Sequence, residues 1–296
     1  MRGVCAGSVL VAMALASVGY AQPAGPTYEQ VVASLNPLHW WRFNDAVSSP
    51  TVADSVADYD GTWTNGPNLV TGICDPDDPA IKIWNQNGPT WATFPHSDSL
   101  LLTEGTIAFC FIDTGKILAS GILSKDSDGF DTGGHLTIGT LPGTNKNNGS
   151  LYVRLQDTTG SKKVTFDNLQ VGNQHHLIFT FGPGGMKLYI DGQLVDSNGY
   201  TGGLLGNLEP MVLGASTAYS GNQTHEPLRH FWSGILDELM IYDYAFDNCQ
   251  VQSLYLQQYC HQIPEPGTAA LLALGAVALG RRRRAAGWHR AASSAT

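Results

Sequence analysis

Basic residues are scarce in this sequence: sixteen lysines and arginines stand against twenty-five aspartates and glutamates. Six of the sixteen lie at the chain ends, Arg2 near the start and Arg281 to Arg284 with Arg290 near the finish. Between residues 22 and 280, ten basic residues therefore face all twenty-five acidic ones. The body lacks the cationic footprint that nucleic acid or an anionic membrane surface requires. Reaction signatures are missing as well. The absence of Cys-x-x-Cys removes the usual zinc and thioredoxin-like patterns, and no His-Glu-x-x-His or Gly-x-Ser-x-Gly stretch points to metallohydrolase or serine chemistry. There is no Pro/Ser-rich linker and no internal repeat, so the central 240 or so residues read as one domain.

The start of the chain is informative. Arg2, the apolar residues 9–18 and the small residues ending at Ala21 have the layout of a secretory signal peptide, with cleavage expected between Ala21 and Gln22. Export places Cys74, Cys110, Cys249 and Cys260 where disulfides form, and four cysteines allow three pairings. Cys249 and Cys260 are nearest in sequence, yet on one straight helix they would stand roughly 16 Å apart, and a bridge needs Cα atoms within about 7 Å. They can pair only if the helix ends between them and the chain turns back. Cys110, inside the apolar run 107–112, reads as a buried thiol.

Between the ends, short runs rich in β-branched and aromatic residues alternate with Gly, Asn, Asp and Pro. Strands are expected at 39–43, 91–94, 106–113, 117–124, 135–141, 151–156, 163–166, 175–181, 186–190, 193–195 and 211–214, and within 231–244. The clearest is the pair flanking Asp191-Gly192, because a two-residue Asp-Gly loop supplies the positive φ angles of a type I′ turn. Helices are expected only at 28–35, stopped by Asn36-Pro37, and from an N-cap at Asp247, with Val251, Leu254, Tyr255 and Tyr259 on one face. Many strands with helices only at the ends describe an antiparallel sandwich. Asp126, Asp128 and Asp131 break the EF-hand spacing and read as a solvated loop, as does the Asp-Pro-Asp-Asp-Pro stretch at 75–79. His175 and His176, at the start of an apolar strand, read as packing residues.

Three stretches carry a family resemblance. NPLHWWRFND with ADSVADYDGTW, then QHHLIFTFGPGGMKLYIDGQLV, then SGILDELMIYDYAFDNCQVQSLY resemble the opening, central hairpin and closing strand of laminin-G-like, concanavalin-A-like jelly rolls. The resemblance implies an all-β antiparallel jelly-roll sandwich with short terminal helices, spanning residues 22–261. It implies a calcium ion between an N-terminal loop and the closing strand, held by Asp54, Asp60, oxygens near Gly61, and Asp237. It also allows a sugar platform, for which Trp63, Trp84, Trp91 and Trp232 are the candidates, since an aromatic ring stacks on the apolar face of a sugar. Enzymes share this fold. Their laminarinase-like members place carboxylates in a Glu-x-Asp-x-x-Glu arrangement on one strand, and no such stretch is present, so the expectation is a non-enzymatic protein binding extracellular polysaccharide or a surface protein. A purely structural or adhesive matrix component, and a hydrolase with an unfamiliar carboxylate pair, are the alternatives.

The final segment, 262–296, is a case apart. Pro264-Glu265-Pro266 precedes an apolar run at 268–280 and the cluster Arg281, Arg282, Arg283 and Arg284. Thirteen helical residues reach about 20 Å against a hydrocarbon core of roughly 30 Å, and the arginines would hold that end on the cytoplasmic side. This order resembles the PEP-CTERM sorting signal. The resemblance implies an exosortase-type processing enzyme as partner, a transient tether in the inner membrane, and delivery to the surface or extracellular matrix of a Gram-negative bacterium.

Overall fold

The computed structural model describes residues 25–45, 47–85, 88–126, 134–145, 147–216 and 228–260. The leader with Ala21 and Gln22, Asp128 and Asp131, and the whole tail from residue 261, including Pro264, Glu265, Pro266 and Arg281 to Arg284, lie outside them. The described chain runs α1 (Tyr28–Ser34), β1 (His39–Trp41), β2 (Thr51–Val52), β3 (Gly61–Thr64), β4 (Asn68–Thr71), β5 (Pro79–Ile83), β6 (Trp91–Phe94), β7 (Gly105–Asp113) and β8 (Ser120–Lys125). It continues β9 (His135–Pro142), β10 (Asn148–Asp157), β11 (Gly160–Gln170), β12 (Gln174–Phe181), β13 (Met186–Ile190), β14 (Gln193–Asn198), β15 (Met211–Leu213), β16 (Gly234–Tyr242) and α2 (Asn248–Leu256).

Two antiparallel sheets form the sandwich. The first has the order β14-β13-β12-β7-β16-β5-β4 with β1 added beside β16, and the second has the order β11-β10-β9-β8-β15-β6-β3-β2. Side chains at alternate positions, such as Phe109 and Phe111 of β7 and Leu151, Val153 and Leu155 of β10, meet between the sheets in one core. The opposite set on the first sheet, including Ala108, Cys110, Ile178, Met240 and Tyr242, packs against Tyr28, Val31 and Val32 of α1 and Val251 and Leu254 of α2. Both helices begin with a reciprocal capping box, Thr27 with Gln30 and Asp247 with Gln250. The terminal helices thus cover the outer face of the first sheet.

Strand β16 changes partner along its length. It pairs with β5 over Gly234–Leu236 and with β1 over Leu239–Ile241. A register shift accompanies the change, and Glu238 sits inside it at φ 57°. A bulge with one residue in the left-handed region redirects a strand in this way and exposes a side chain to a new neighbour.

Candidate functional site

The four tryptophans proposed as a platform are not brought together. Trp63 points into the core between the sheets. Trp232 is 1% exposed and donates its indole N–H to Asp113 Oδ2 at 3.0 Å, so it pegs the end of β7 and is not available to a ligand. Trp84 and Trp91 are half-buried, and Trp91 lies against Phe231 with ring centres 5.3 Å apart.

Trp84 is placed differently from the others. Strand β5 ends at Ile83, so Trp84 and Asn85 open the loop that follows, at the end of the sandwich where β7 finishes and β16 starts. The loop is fixed from below: Thr90 donates to the Trp84 carbonyl at 2.9 Å, Asn85 donates its backbone N–H to Ser233 Oγ at 2.9 Å, and its amide donates to the Phe231 carbonyl at 3.2 Å. The result is a cleft of about 440 Å³ lined by Trp84, Asn85, Gly115, Lys116, Leu118 and Ser233. One large aromatic ring, an amide, an ammonium and a hydroxyl share it. No lining residue carries a carboxyl group.

The residues expected to hold calcium do not fit that role as a set. Asp54 lies against inward-facing His39, with Oδ2 at 2.6 Å from Nδ1, and accepts the Trp40 backbone N–H at 3.0 Å; Asp60 accepts the Asp54 N–H at 2.8 Å. Asp237 instead pairs in register with outward-facing Cys110, and its Oδ2 accepts the N–H groups of Ile73 and Cys74 at 2.8 Å each. The two groups sit on opposite faces of the first sheet. Gly61 has a packing reason to be glycine, because a Cβ there would lie 2.5 Å from the Phe94 ring.

What does gather around Asp237 is a buried acidic cluster the sequence reading missed. Glu238 accepts the Trp40 indole N–H, and Arg42 reaches Asp78 at 2.8 Å and Glu238 at 3.9 Å. Asp78, expected in a solvated loop, is buried and also held by Asn44. Burial pushes the Glu238 carboxyl up to about 9 and the Asp237 carboxyl to about 6, the second acid adding repulsion to the first. Glu238 is therefore neutral at pH 7, and Arg42 lies between it and Asp78. The sequence signal that points to this cluster is the Asp237-Glu238 pair inside an apolar run, since two adjacent carboxylates on a buried strand need a bulge to find partners.

Asp126 is likewise not solvated. Its carboxylate accepts from Thr137 at 2.6 Å and from Arg154 at 3.2 Å on the outer face of the second sheet, beside Tyr152, over whose ring Lys163 lies. His175 and His176 are both buried at the start of β12: Asp191 sits 2.9 Å from His175 Nδ1 and accepts the His176 backbone N–H at 2.8 Å.

Both cysteine pairs are bridged. Cys110 is not a free thiol but bonds to Cys74, with Cα atoms 5.6 Å apart. They stand 36 positions apart, with β5, β6 and the first half of β7 between them, and nothing local in the sequence marks the partner. Cys249 and Cys260 pair at a Cα separation of 5.5 Å because α2 stops at Leu256 and Gln257, in the left-handed region at φ 53°, turns the chain back. No helix among the described residues is long and apolar enough to cross a membrane.

Comparison with known proteins agrees with this geometry. The family described as "Concanavalin A-like lectin/glucanases superfamily" matches residues 81–252, more than half of the chain, and the PEP-CTERM protein-sorting motif matches residues 262–284. No curated protein matches. Among solved structures, the botulinum neurotoxin serotype C1 binding domain superposes with a TM-score of 0.54 at 13% identity, over 75% of this chain and 52% of that one. The binding domain of Paraclostridial Mosquitocidal Protein 1 gives 0.52 at 18% identity, over 74% and 52%. Domain 4 of AbnA, an extracellular GH43 arabinanase from Geobacillus stearothermophilus in complex with arabinotriose, gives 0.51 at 18% identity, over 74% and 98%. The chain spans about half the length of the two toxin domains and nearly all of the arabinanase domain. At these identities the likeness is one of fold.

Proposed function

Because this chain belongs to the concanavalin A-like lectin/glucanases superfamily and carries a PEP-CTERM sorting motif, we propose that it is an exported protein that binds a neutral extracellular glycan at the Trp84 cleft. The carrying observation is the half-buried Trp84 ring beside Asn85, Lys116 and Ser233 in one cleft. Sugar sites combine an aromatic surface for the apolar face of the ring with a few polar groups that fix its hydroxyls. The outer face of the first sheet is taken by α1 and α2, which leaves loop ends and the second sheet for ligands. The arabinotriose held by the similarly folded arabinanase domain supports a short neutral oligosaccharide as the ligand class. So does the acidic excess of the body, which disfavours polyanionic polymers.

Binding without cleavage is part of the proposal. A retaining glycosidase needs two carboxyl groups about 5 Å apart across the bond it breaks. The cleft offers none, and the acidic pair Asp237 and Glu238 is fully buried. The sorting motif implies an exosortase as processing partner and a position at the bacterial surface or in its matrix. A glycan array probed with the full chain tests the reading. Sugar-dependent signal on neutral oligosaccharides is expected, with no reducing sugar released from them; an array without sugar-dependent signal rejects it, and release of reducing sugar turns it into a hydrolase.

A further inference from the structure

Three side chains that the glycan reading leaves unused meet on the outer face of the first sheet. Cys110 of β7 and His176 of β12 are direct cross-strand partners, and Cys74 arrives from the loop between β4 and β5. The two sulfurs and a His176 ring nitrogen all lie within 4.8 Å of one another, and all three residues are buried. Neither ring nitrogen of His176 has a hydrogen-bond partner. An imidazole with both nitrogens buried and unmet calls for an explanation, because such groups cost free energy.

We propose that reduction of the Cys74–Cys110 bridge converts this cluster into a three-ligand site for a thiophilic divalent cation, with zinc the natural candidate, so that bridge and metal are alternative occupants of one place. The disulfide takes two electrons and two protons from a dithiol, which leaves as its own disulfide, and the two thiols then release their protons as they ligate. Zinc–sulfur bonds of about 2.3 Å and a zinc–nitrogen bond of about 2.0 Å put tetrahedral ligand atoms roughly 3.5–4 Å apart, so the two sulfurs, bonded to each other in the bridge, must move apart once it opens, while the His176 nitrogen already lies within 4.8 Å of both. Two cysteines and one histidine leave a fourth position for water.

The ligands are held in place by bonds other than the bridge. Asp237 accepts the N–H groups of Ile73 and Cys74, Gln257 donates to the Cys74 carbonyl at 3.1 Å, and Gln174 donates to the Ile73 carbonyl at 2.6 Å. Tyr28 donates its hydroxyl to Cys74 Sγ at 3.3 Å, a contact that favours a thiolate there. The Tyr255 ring, stacked on His176 at 6.0 Å, and the Asp191 acceptor on its backbone N–H fix the imidazole. Opening the bridge therefore leaves the Cys74 segment and His176 anchored beside Cys110, with only the two sulfurs left to part.

The test uses the full chain carrying Cys5→Ser, Cys249→Ser and Cys260→Ser, reduced with a dithiol, desalted under nitrogen and titrated with cobalt(II). One ion per chain is expected, with a near-ultraviolet thiolate-to-metal charge-transfer band and tetrahedral ligand-field bands in the visible. The oxidised chain gives neither. His176→Ala weakens binding more than about tenfold, a loss that changes around metal ligands commonly reach. If reduction itself melts the fold, one equivalent of zinc restores the near-ultraviolet circular dichroism. No charge-transfer band, equal binding by His176→Ala, or a melted fold that zinc does not restore overturns the proposal.

Discussion

Glu238 shows how much a single residue can carry. It occupies the bulge where β16 exchanges partners, at a positive φ that glutamate seldom adopts, and burial keeps its carboxyl protonated up to about 9. Its folded pKa lies above the unfolded value of 4.5, so the fold binds the extra proton and stability falls as pH rises from the unfolded value toward about 9. Between pH 6.5 and 8 the Glu238→Gln protein separates this group from its neighbours, since Asp237, raised to about 6, and Lys125, lowered by burial to about 8, titrate in both proteins. Across that window the wild type should lose up to about 2 kcal/mol that Glu238→Gln does not, read from thermal or urea unfolding at both pH values. Parallel curves for the two proteins would remove the assignment. The tryptophans divide at the same scale. Trp232→Ala empties a core site and should cost about 3–5 kcal/mol, whereas Trp84→Ala should leave the melting temperature within a few degrees. Sequence alone ranked these two residues together, because a tryptophan that packs in the core and one that lines a cleft have the same stacking chemistry.

At the scale of elements, the parts that were legible are those whose signals are local. The Asp191-Gly192 turn stands as read, with both residues at positive φ; the first helix begins at Tyr28 as expected, and the second starts at the expected N-cap Asp247. The strands β2 to β5 were not legible, since runs of two to five residues without long alternation carry no period to count. The covering of the first sheet was also hidden, because it depends on where two short helices dock. Two substitutions probe these elements. Gly192→Ala places a methyl in a left-handed residue whose Cβ would lie 2.5 Å from the Tyr255 ring, so it should destabilise by about 1 kcal/mol or more. Asp247→Ala removes the acceptor of the Gln250 N–H and should cost about 1 kcal/mol. Chemical denaturation measures both, and unchanged midpoints would contradict the roles given to the turn and the cap.

The whole molecule joins an address to a concanavalin A-like fold. The address was readable because the sorting motif is a contiguous string, and the fold because three contiguous stretches carry it. The site was readable only in part: Trp84 stood among the candidates and Asn85 is its chain neighbour, while Lys116 and Ser233 converge on them from two other loops that no short-range pattern connects. For the address, Pro264→Ala, Glu265→Ala and Pro266→Ala together should leave an unprocessed precursor in the membrane fraction of a host with an exosortase, and mature-sized product at the surface would contradict it. The central claim is glycan binding at the Trp84 cleft, and the most direct measurement is a calorimetric titration of the full chain and of Trp84→Ala with the neutral oligosaccharides that bind it on an array. A saturable heat in the wild type, lost more than tenfold in a Trp84→Ala protein of unchanged melting temperature, is the predicted result. Absence of any binding neutral oligosaccharide, or equal affinity in the two proteins, would contradict it.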